Sequence, residues 1–396
     1  MKCLVIGTGH HFKATNDGKI WTCGAYNAHF FGRYLDTFDK VKILARVQVV
    51  DTVPEDFKLV NSENIEVVNL PDFRGPLNSL KSFFSLSSIF RSLAVNKNYC
   101  FLLRVPGLVQ TLFWIHLVLY KRKFGLEVIV DPALDFDPRS LGSSSGVFFK
   151  RIVTWVLRKQ CKNAYATSYV TEYTMQKIYP PGNDKTFSYS SIDIGEEAFS
   201  LSKITLDKIL NGPEQLTKVK FSFTGDLTRP YKGLDILLKS MAHIQKSGVE
   251  VSLIVIGGGR MIDFYLKMID DLGLTGKVSF SGYVCCPDKI YEMLLDSDLF
   301  VLPTRREGLP RAIIEAMAIG LPCVSTNIAG IPEVLEDDDM IEMDDLNALN
   351  DKIEILLKNK KIRIKKSQDN SLKARKFDRK LISIEREKFY KYLITS

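Results

Sequence analysis

The stretch Val301–Glu333, VLPTRREGLPRAIIEAMAIGLPCVSTNIAGIPE, constrains this chain more than any other. An apolar run, Leu299–Pro303, ends in a polar turn. Glu307-Gly308-Leu309-Pro310 follows, then an amphipathic segment to Ile319, a Gly-Leu-Pro break and a second apolar run, Cys323–Thr326. That is strand, loop, helix, strand, the order that sets a loop and a helix N-terminus at the carboxyl edge of a parallel sheet. Pro310 suits the first helical turn, where a missing N–H costs nothing. The amides of Arg311 and Ala312 then point outward without acceptors, a seat for an anion such as a phosphate. Glu307 falls on the loop and Glu315 inside the helix, eight residues later. Acids at those two places can hold two separate sets of hydroxyls while the amides between them hold a diphosphate. By spacing alone, two surface acids on an ordinary helix are the plainer reading. The Gly, Pro and small residues in step with them favour a site.

The rest of the chain repeats the same alternation. In the first half, strands are expected at Cys3–Gly7, Val41–Val50, Ile65–Leu70, Tyr99–Val105, Glu127–Val130, Ala164–Ser168 and Thr186–Ser190. Helices are expected between them at Tyr26–Phe38, Leu77–Val95, Leu108–Lys121, Val147–Lys162 and Val170–Tyr179. The pattern weakens between Ser191 and Thr217, around Gly195, Gly212 and Pro213, where a linker is expected. It resumes with strands at Val219–Thr224, Val251–Ile256, Lys277–Gly282, Leu299–Pro303, Pro322–Thr326 and Met340–Met343, and helices at Leu234–Ser247, Met261–Leu272, Pro287–Leu295, Pro310–Ile319 and Leu346–Leu357. Such alternation predicts an α/β fold of two Rossmann-like halves, with ligands held at the sheet edges between them. Gly7-Thr8-Gly9 after the first strand has the start of a dinucleotide loop, but Phe12 stands where a third glycine is required. A tight turn without a ligand is the other reading of it.

The stretch E-G-L-P-x-A-x-x-E-A-M-A-x-G-x-P-x-V-x-T, followed by G-I-P-E, resembles the Glu-x7-Glu signature of retaining GT-B glycosyltransferases of family 4. That resemblance covers roughly Phe221–Glu336. It implies a GT-B fold of three parts: an acceptor-side domain over 1–198, a nucleotide-sugar domain over 199–374, and a C-terminal helix, 375–396, packing back on the first domain. It also implies roles. Glu307 would bind the donor sugar opposite the acceptor, and Glu315 the ribose hydroxyls. Gly308, Leu309, Pro310, Arg311 and Ala312 would surround the diphosphate. In Gly225-Asp226-Leu227-Thr228-Arg229-Pro230-Tyr231-Lys232-Gly233, Lys232 matches the lysine that stabilises the leaving diphosphate. The family's usual Arg is Asp226 here, and Arg229, with its planar fork, is the substitute. Gly258 of Gly257-Gly258-Gly259 matches a small-residue turn, and Tyr283-Val284 the turn facing the nucleobase. Gly9 would face the donor from the first domain. Where relatives carry a histidine after a first-domain strand, this chain has Asp131-Pro132, so Asp131 is the substitute and candidate acceptor-side base, or a structural turn residue. Ser190-Ser191-Ile192-Asp193 replaces the family's usual Asn-Gly before its Asp. The resemblance further implies transfer from a nucleotide sugar, UDP-linked, with α configuration kept by front-face attack and no metal or other cofactor.

Composition bears on partners. The chain has 396 residues, a formal net charge of +8, and seven cysteines without a C-x-x-C, which fits reduced thiols in the cytoplasm. A basic excess serves nucleic acid, phosphorylated substrates or an anionic membrane surface. Leu108–Lys123 is apolar nearly all round and ends Lys121-Arg122-Lys123. Val147–Lys162 interleaves Phe148, Phe149, Ile152 and Trp155 with Lys150, Arg151, Arg158 and Lys159. Buried helices with solvated ends explain each alone; together they favour peripheral contact with a membrane and no nucleic acid. The resemblance, joined to this basic and apolar first half, implies a lipid-diphosphate-linked saccharide acceptor at the inner membrane face. The lysine-rich tail after Lys358 could add to that surface. No apolar run reaches the length of a membrane span. Three rivals remain at this level: a metal-dependent GT-A enzyme using Asp135-Phe136-Asp137, a GT-B nucleotide-sugar epimerase, and a membrane adaptor with a vestigial site.

Overall fold

A computed structural model describes residues 2–23, 26–55, 57–72, 83–136, 145–192, 194–284 and 286–394. Asp137, Asp193, Cys285 and residues 77–82, on which readings above fall, lie outside them. The chain divides into two compact units, Met1–Tyr189 with Ser383–Ser396, and Ser190–Ile382.

In the first unit, β1 (Cys3–Ala14), β2 (Ile20–Thr22), β3 (Lys40–Val49), β4 (Lys58–Leu59), β5 (Ile65–Leu70), β6 (Tyr99–Val105), β7 (Gly125–Val128), β8 (Ala166–Tyr169) and β9 (Thr186–Ser188) form one sheet. Its body is parallel, and its chain order reverses between β1 and β6. Only β2 and β4 run antiparallel, as an addition at the end of β1. A parallel sheet is covered on both faces, which is why Cys3–Thr8 is buried without alternation. Helices Phe83–Ala94, Leu108–Leu119 and Ser145–Asn163 share one core cluster on one face, through Phe90, Phe113 and Leu157. The C-terminal helix Arg379–Ile394 buries Phe389, Tyr390 and Leu393 in this unit. A Cβ on Gly125 would stand 2.7 Å from Leu393 Cδ1, so the glycine leaves room for that side chain against β7.

A buried polar network ties these layers. Arg104 on β6 pairs with Glu127 on β7 at 2.5 Å, and Arg104 also donates to the Tyr34 hydroxyl at 3.0 Å. Tyr189 donates to Glu127 at 2.6 Å, and Tyr390 of the C-terminal helix does so at 3.3 Å. A buried ion pair persists when its remaining bonding capacity is filled in this way.

The second unit is a six-stranded parallel sheet of β10 (Lys218–Thr224), β11 (Glu250–Ile256), β12 (Val278–Phe280), β13 (Leu299–Leu302), β14 (Cys323–Thr326) and β15 (Met340–Ile341). Their spatial order is β12-β11-β10-β13-β14-β15. The order reverses between β10 and β13, and loops leaving those two strands border the crevice where such sheets take ligands.

Three expectations change. β1 does not stop at Gly7: it runs to Ala14, with a register shift against β3 between Gly7 and His11, so Gly9 is a strand residue and not a loop. Phe12 and Ala14 are buried and pair with β3, which continues the strand, and the exposed Gly9 offers its carbonyl to Arg46. The expected linker is largely a helix, Glu196–Asn211, whose ends are Gly195 and Gly212. It buries Ala198 and Phe199 within the second unit, so the division falls at Tyr189/Ser190. The basic tail is two helices, Lys360–Ala374 and Arg379–Ile394, and much of its charge is engaged. Arg363 is buried and donates to the carbonyls of Leu356, Leu357, Pro213 and Glu214, while Lys366 pairs with Asp339 at 2.8 Å. Those two cations face inward and cannot serve a membrane surface.

Candidate active site

The loop after β10 and the loop after β13 meet at the reversal of strand order. Pro230–Lys232 forms a single 3-10 turn that ends at Gly233, at φ 78°. A Cβ there would stand 1.9 Å from the Pro303 carbonyl oxygen, so glycine is what lets the first loop close on the end of β13. The two loops are also bonded directly: the Arg305 amide donates to the Tyr231 carbonyl at 2.7 Å, and the Thr304 hydroxyl to the same oxygen at 3.2 Å.

This closure brings Lys232 and Glu307 together. Lys232 Nζ donates to Glu307 Oε1, and both side chains are less than a fifth exposed. Beyond them, Pro310 caps the helix Arg311–Ala318 from just outside it, one position earlier than the first-turn placement expected from sequence. The first helical bond runs from the Ile314 amide to the Pro310 carbonyl at 3.1 Å, leaving the amides of Arg311 and Ala312 ahead of it. Gly308 and Leu309 are buried under this turn, and the Gly330 amide donates to the Gly308 carbonyl at 2.9 Å, so the Gly-Ile-Pro-Glu segment supports the Glu307 loop. Glu315 is half-buried and has no hydrogen-bond or ion-pair partner among the described residues. Burial raises its carboxyl above the ordinary range, and Arg311 offsets part of that. An unpartnered carboxylate beside free amides is bonding capacity left for a ligand.

Asp226, the departure from the family pattern, has a structural reason. Its carboxylate accepts the Thr228 amide at 2.9 Å, the Thr228 hydroxyl at 2.7 Å, the Tyr283 hydroxyl at 3.4 Å and the Tyr231 hydroxyl at 3.5 Å. It organises the loop, and its neighbourhood keeps Tyr231 protonated: burial, then Asp226, pushes that phenol up to about 12. Gly257, at φ 145°, bridges to Gly282, and a Cβ on Gly258 would lie 3.1 Å from the Tyr283 ring. The mostly exposed Tyr283 therefore lies on the Gly258 backbone, with half-buried Val284 beside it. Arg229 is exposed and without a partner among the described residues, so its guanidinium is available.

Arg305 was missed from sequence. Its guanidinium grips Asp235 with two bonds, at 2.9 and 2.8 Å, reaches Asp344 at 2.7 Å, and donates to the Pro230 carbonyl at 2.7 Å. It staples the Lys232 loop to the Glu307 loop. No spacing signal marks it, because Asp235 and Asp344 come from distant segments.

The first-unit candidates fall differently. Asp131 is buried, and its Oδ1 accepts both the Ala133 amide, at 2.8 Å, and the Tyr179 hydroxyl. Both bonds suit the turn-residue reading of Asp131. Asp135 lies in the 3-10 helix Pro132–Phe136.

Residues 212–377 match the family described as glycosyl transferases group 1. The chain is 24% identical to Protein CapJ of Staphylococcus aureus over 367 residues, 92% of this chain and 89% of CapJ. It is 33% identical over 113 residues to WcaL of Escherichia coli, named for colanic acid biosynthesis; that match covers 27% of this chain and 28% of WcaL. Among solved structures, HepE of Anabaena in complex with UDP and glucose superposes with a TM-score of 0.64 at 16% identity, over 98% of both chains. These likenesses establish the GT-B fold for the two α/β units. The family match falls within the unit that carries Lys232, Glu307 and Glu315.

Proposed function

We propose that this chain is a retaining glycosyltransferase. It moves a sugar from a UDP-linked donor to a lipid-diphosphate-linked saccharide in bacterial surface polysaccharide assembly, at an anionic membrane surface on the cytoplasmic side. The observation that carries the reaction class is the meeting of Lys232 and Glu307, with the Arg311 and Ala312 amides and the unpartnered Glu315 on the same elements. On donor binding, the diphosphate takes Lys232 away from Glu307, and the freed Glu307 accepts hydroxyls of the sugar. As the bond from the anomeric carbon to the diphosphate oxygen breaks, Lys232, Arg229 and the helix amides stabilise the charge that grows on the leaving group. Fixed cations and amides in these places perform that task without a metal. The acceptor hydroxyl attacks from the face the diphosphate leaves and passes its proton to the departing phosphate oxygen, which keeps the α configuration. Glu315 holds the ribose. HepE, whose structure contains UDP and glucose, supports the choice of nucleotide, and WcaL's name supports the polysaccharide setting.

Support for the membrane lies in the first unit. Phe148 is 64% exposed and Trp155 59%, on a helix that also carries Lys150, Arg151, Arg158 and Lys159. No helix among the described residues is long and apolar enough to cross a membrane, so contact would be interfacial. The test is a panel of nucleotide sugars, read by thermal shift and by donor hydrolysis, with the product anomer assigned by NMR. A β-linked product, or a panel in which no nucleoside diphosphate sugar binds, sinks the reading.

A further inference from the structure

The amino ends of the neighbouring strands β1, β6 and β7, opposite that sheet's own carboxyl edge, border a cavity of about 520 Å3. Lys2, Lys97, Lys121, Arg122 and Lys123 line it together with Tyr99, and no carboxylate among the described residues does. The nearby acid is Asp39, which accepts the Lys2 backbone amide at 2.6 Å. Among the described residues, the ammonium groups of Lys2, Lys97 and Lys121 have no ion-pair partner. Arg122 is fixed: it donates to the carbonyls of Tyr99 at 3.1 Å and Lys97 at 3.4 Å, and packs on the Phe101 ring with its guanidinium carbon 5.1 Å from the centroid. Lys123 lies 4.5 Å from the centre of the Tyr165 ring. Like charges gathered without counter-charge repel one another, and an anion that enters relieves all of them at once.

The rim says which anion. The helix that leads into Lys121 exposes Ile115, Val118, Leu119 and Tyr120 just before the cavity, with Leu119 70% exposed. A seat for a soluble phosphate ester has no use for an apolar rim. A seat at a bilayer surface does, because side chains beside a bound headgroup meet the acyl boundary. We propose that this cavity seats the phosphate of an anionic phospholipid, with Val118 and Leu119 entering the bilayer beside it. The proposal rests on the peripheral-membrane reading above and adds a headgroup chemistry to it.

The test compares phosphatidylcholine vesicles doped with phosphatidylglycerol against vesicles doped with oleate to the same surface charge, using the full chain. Wild type should be recovered preferentially on phosphatidylglycerol. Lys97→Gln with Lys121→Gln should weaken that binding roughly thirtyfold, for two charges lost near the surface, while binding to oleate vesicles falls less. Both lysines are exposed, so the variant should melt as wild type does. Equal recovery of wild type on the two anionic vesicles overturns the seat while leaving peripheral binding intact. No recovery on any vesicle overturns the membrane reading and the seat together. Glycerol 3-phosphate titrated without vesicles is the last arm: tight binding there, lost in the double variant and with no vesicle preference, assigns the cavity to a soluble phosphate ester and overturns the lipid.

Discussion

Two of the molecule's sheltered cation–carboxylate pairs, one in each unit, differ in what surrounds them. Arg104 and Glu127 are about 95% buried, and three tyrosine hydroxyls complete their bonding. Lys232 and Glu307 keep more exposure, 17% and 11%, and among the described residues each has the other as its single hydrogen-bonded side-chain partner. The first pair is saturated and holds layers together. The second retains bonding capacity, and a diphosphate and a sugar can compete for its two halves. Spare capacity, more than burial or charge, separates the chemical site from the structural one.

The largest expected effect tests the saturated pair. Arg104→Ala leaves Glu127 buried without its cation and should cost about 3–5 kcal/mol of stability by denaturant unfolding. Replacing both residues with apolar ones of similar size should recover much of that loss. A wild-type midpoint for the single variant would erase the contrast between the pairs.

Lys232→Ala should do the reverse, sparing the fold while slowing transfer. Removing one preorganised charge at the leaving group corresponds to roughly 2.7–4 kcal/mol of transition-state stabilisation. Wild-type turnover in a folded variant would take Lys232 out of the site.

Glu307→Gln sharpens the comparison further. With its carboxylate gone, Lys232 is no longer held, and the nucleoside diphosphate should bind more tightly, by up to about 1 kcal/mol for a partly exposed pair. Turnover should fall at the same time. Calorimetry with UDP decides: weaker binding in the variant means the pair does not compete with the donor.

The smallest effect concerns Glu315. Its carboxyl is raised above the ordinary 4.5 by burial, so the folded state holds that proton more tightly than the unfolded chain. This contribution to stability is complete below the ordinary value and is lost as pH rises through the raised one. Glu315→Gln should remove that loss, so the variant gains on wild type as pH climbs through the window. Parallel stability curves for the two proteins would show that the carboxylate is not desolvated.

The second unit was legible in the sequence because its function is written locally. Glu307, Pro310 and Glu315 are consecutive features of one strand-loop-helix, and β10, β11, β12 and β13 each end within two residues of a Gly or Pro. Asp226 read as a defect because its four donors come from Thr228, Tyr231 and Tyr283, and the last lies in another loop. Arg305 was invisible for the same reason, since Asp235 and Asp344 are far from it in sequence. In the first unit, Gly9 misled: a glycine after an apolar run signals a turn, but the buried Phe12 and Ala14 beyond it carry β1 onward. Gly195 and Gly212 marked the two ends of a helix and were read as a linker.

The staple made by Arg305 has a consequence for redesign. With Asp235, Asp344 and the Pro230 carbonyl all on one guanidinium, the two loops behave as a single stiff part, and altering either alone strains the other. Arg229, within the Lys232 loop, has no partner among the described residues, and Tyr283, from another loop, is mostly solvent-facing and rests its hydroxyl on Asp226. On the proposed function, a library aimed at nucleotide choice should vary those two positions first and keep Arg305 and its partners as they are.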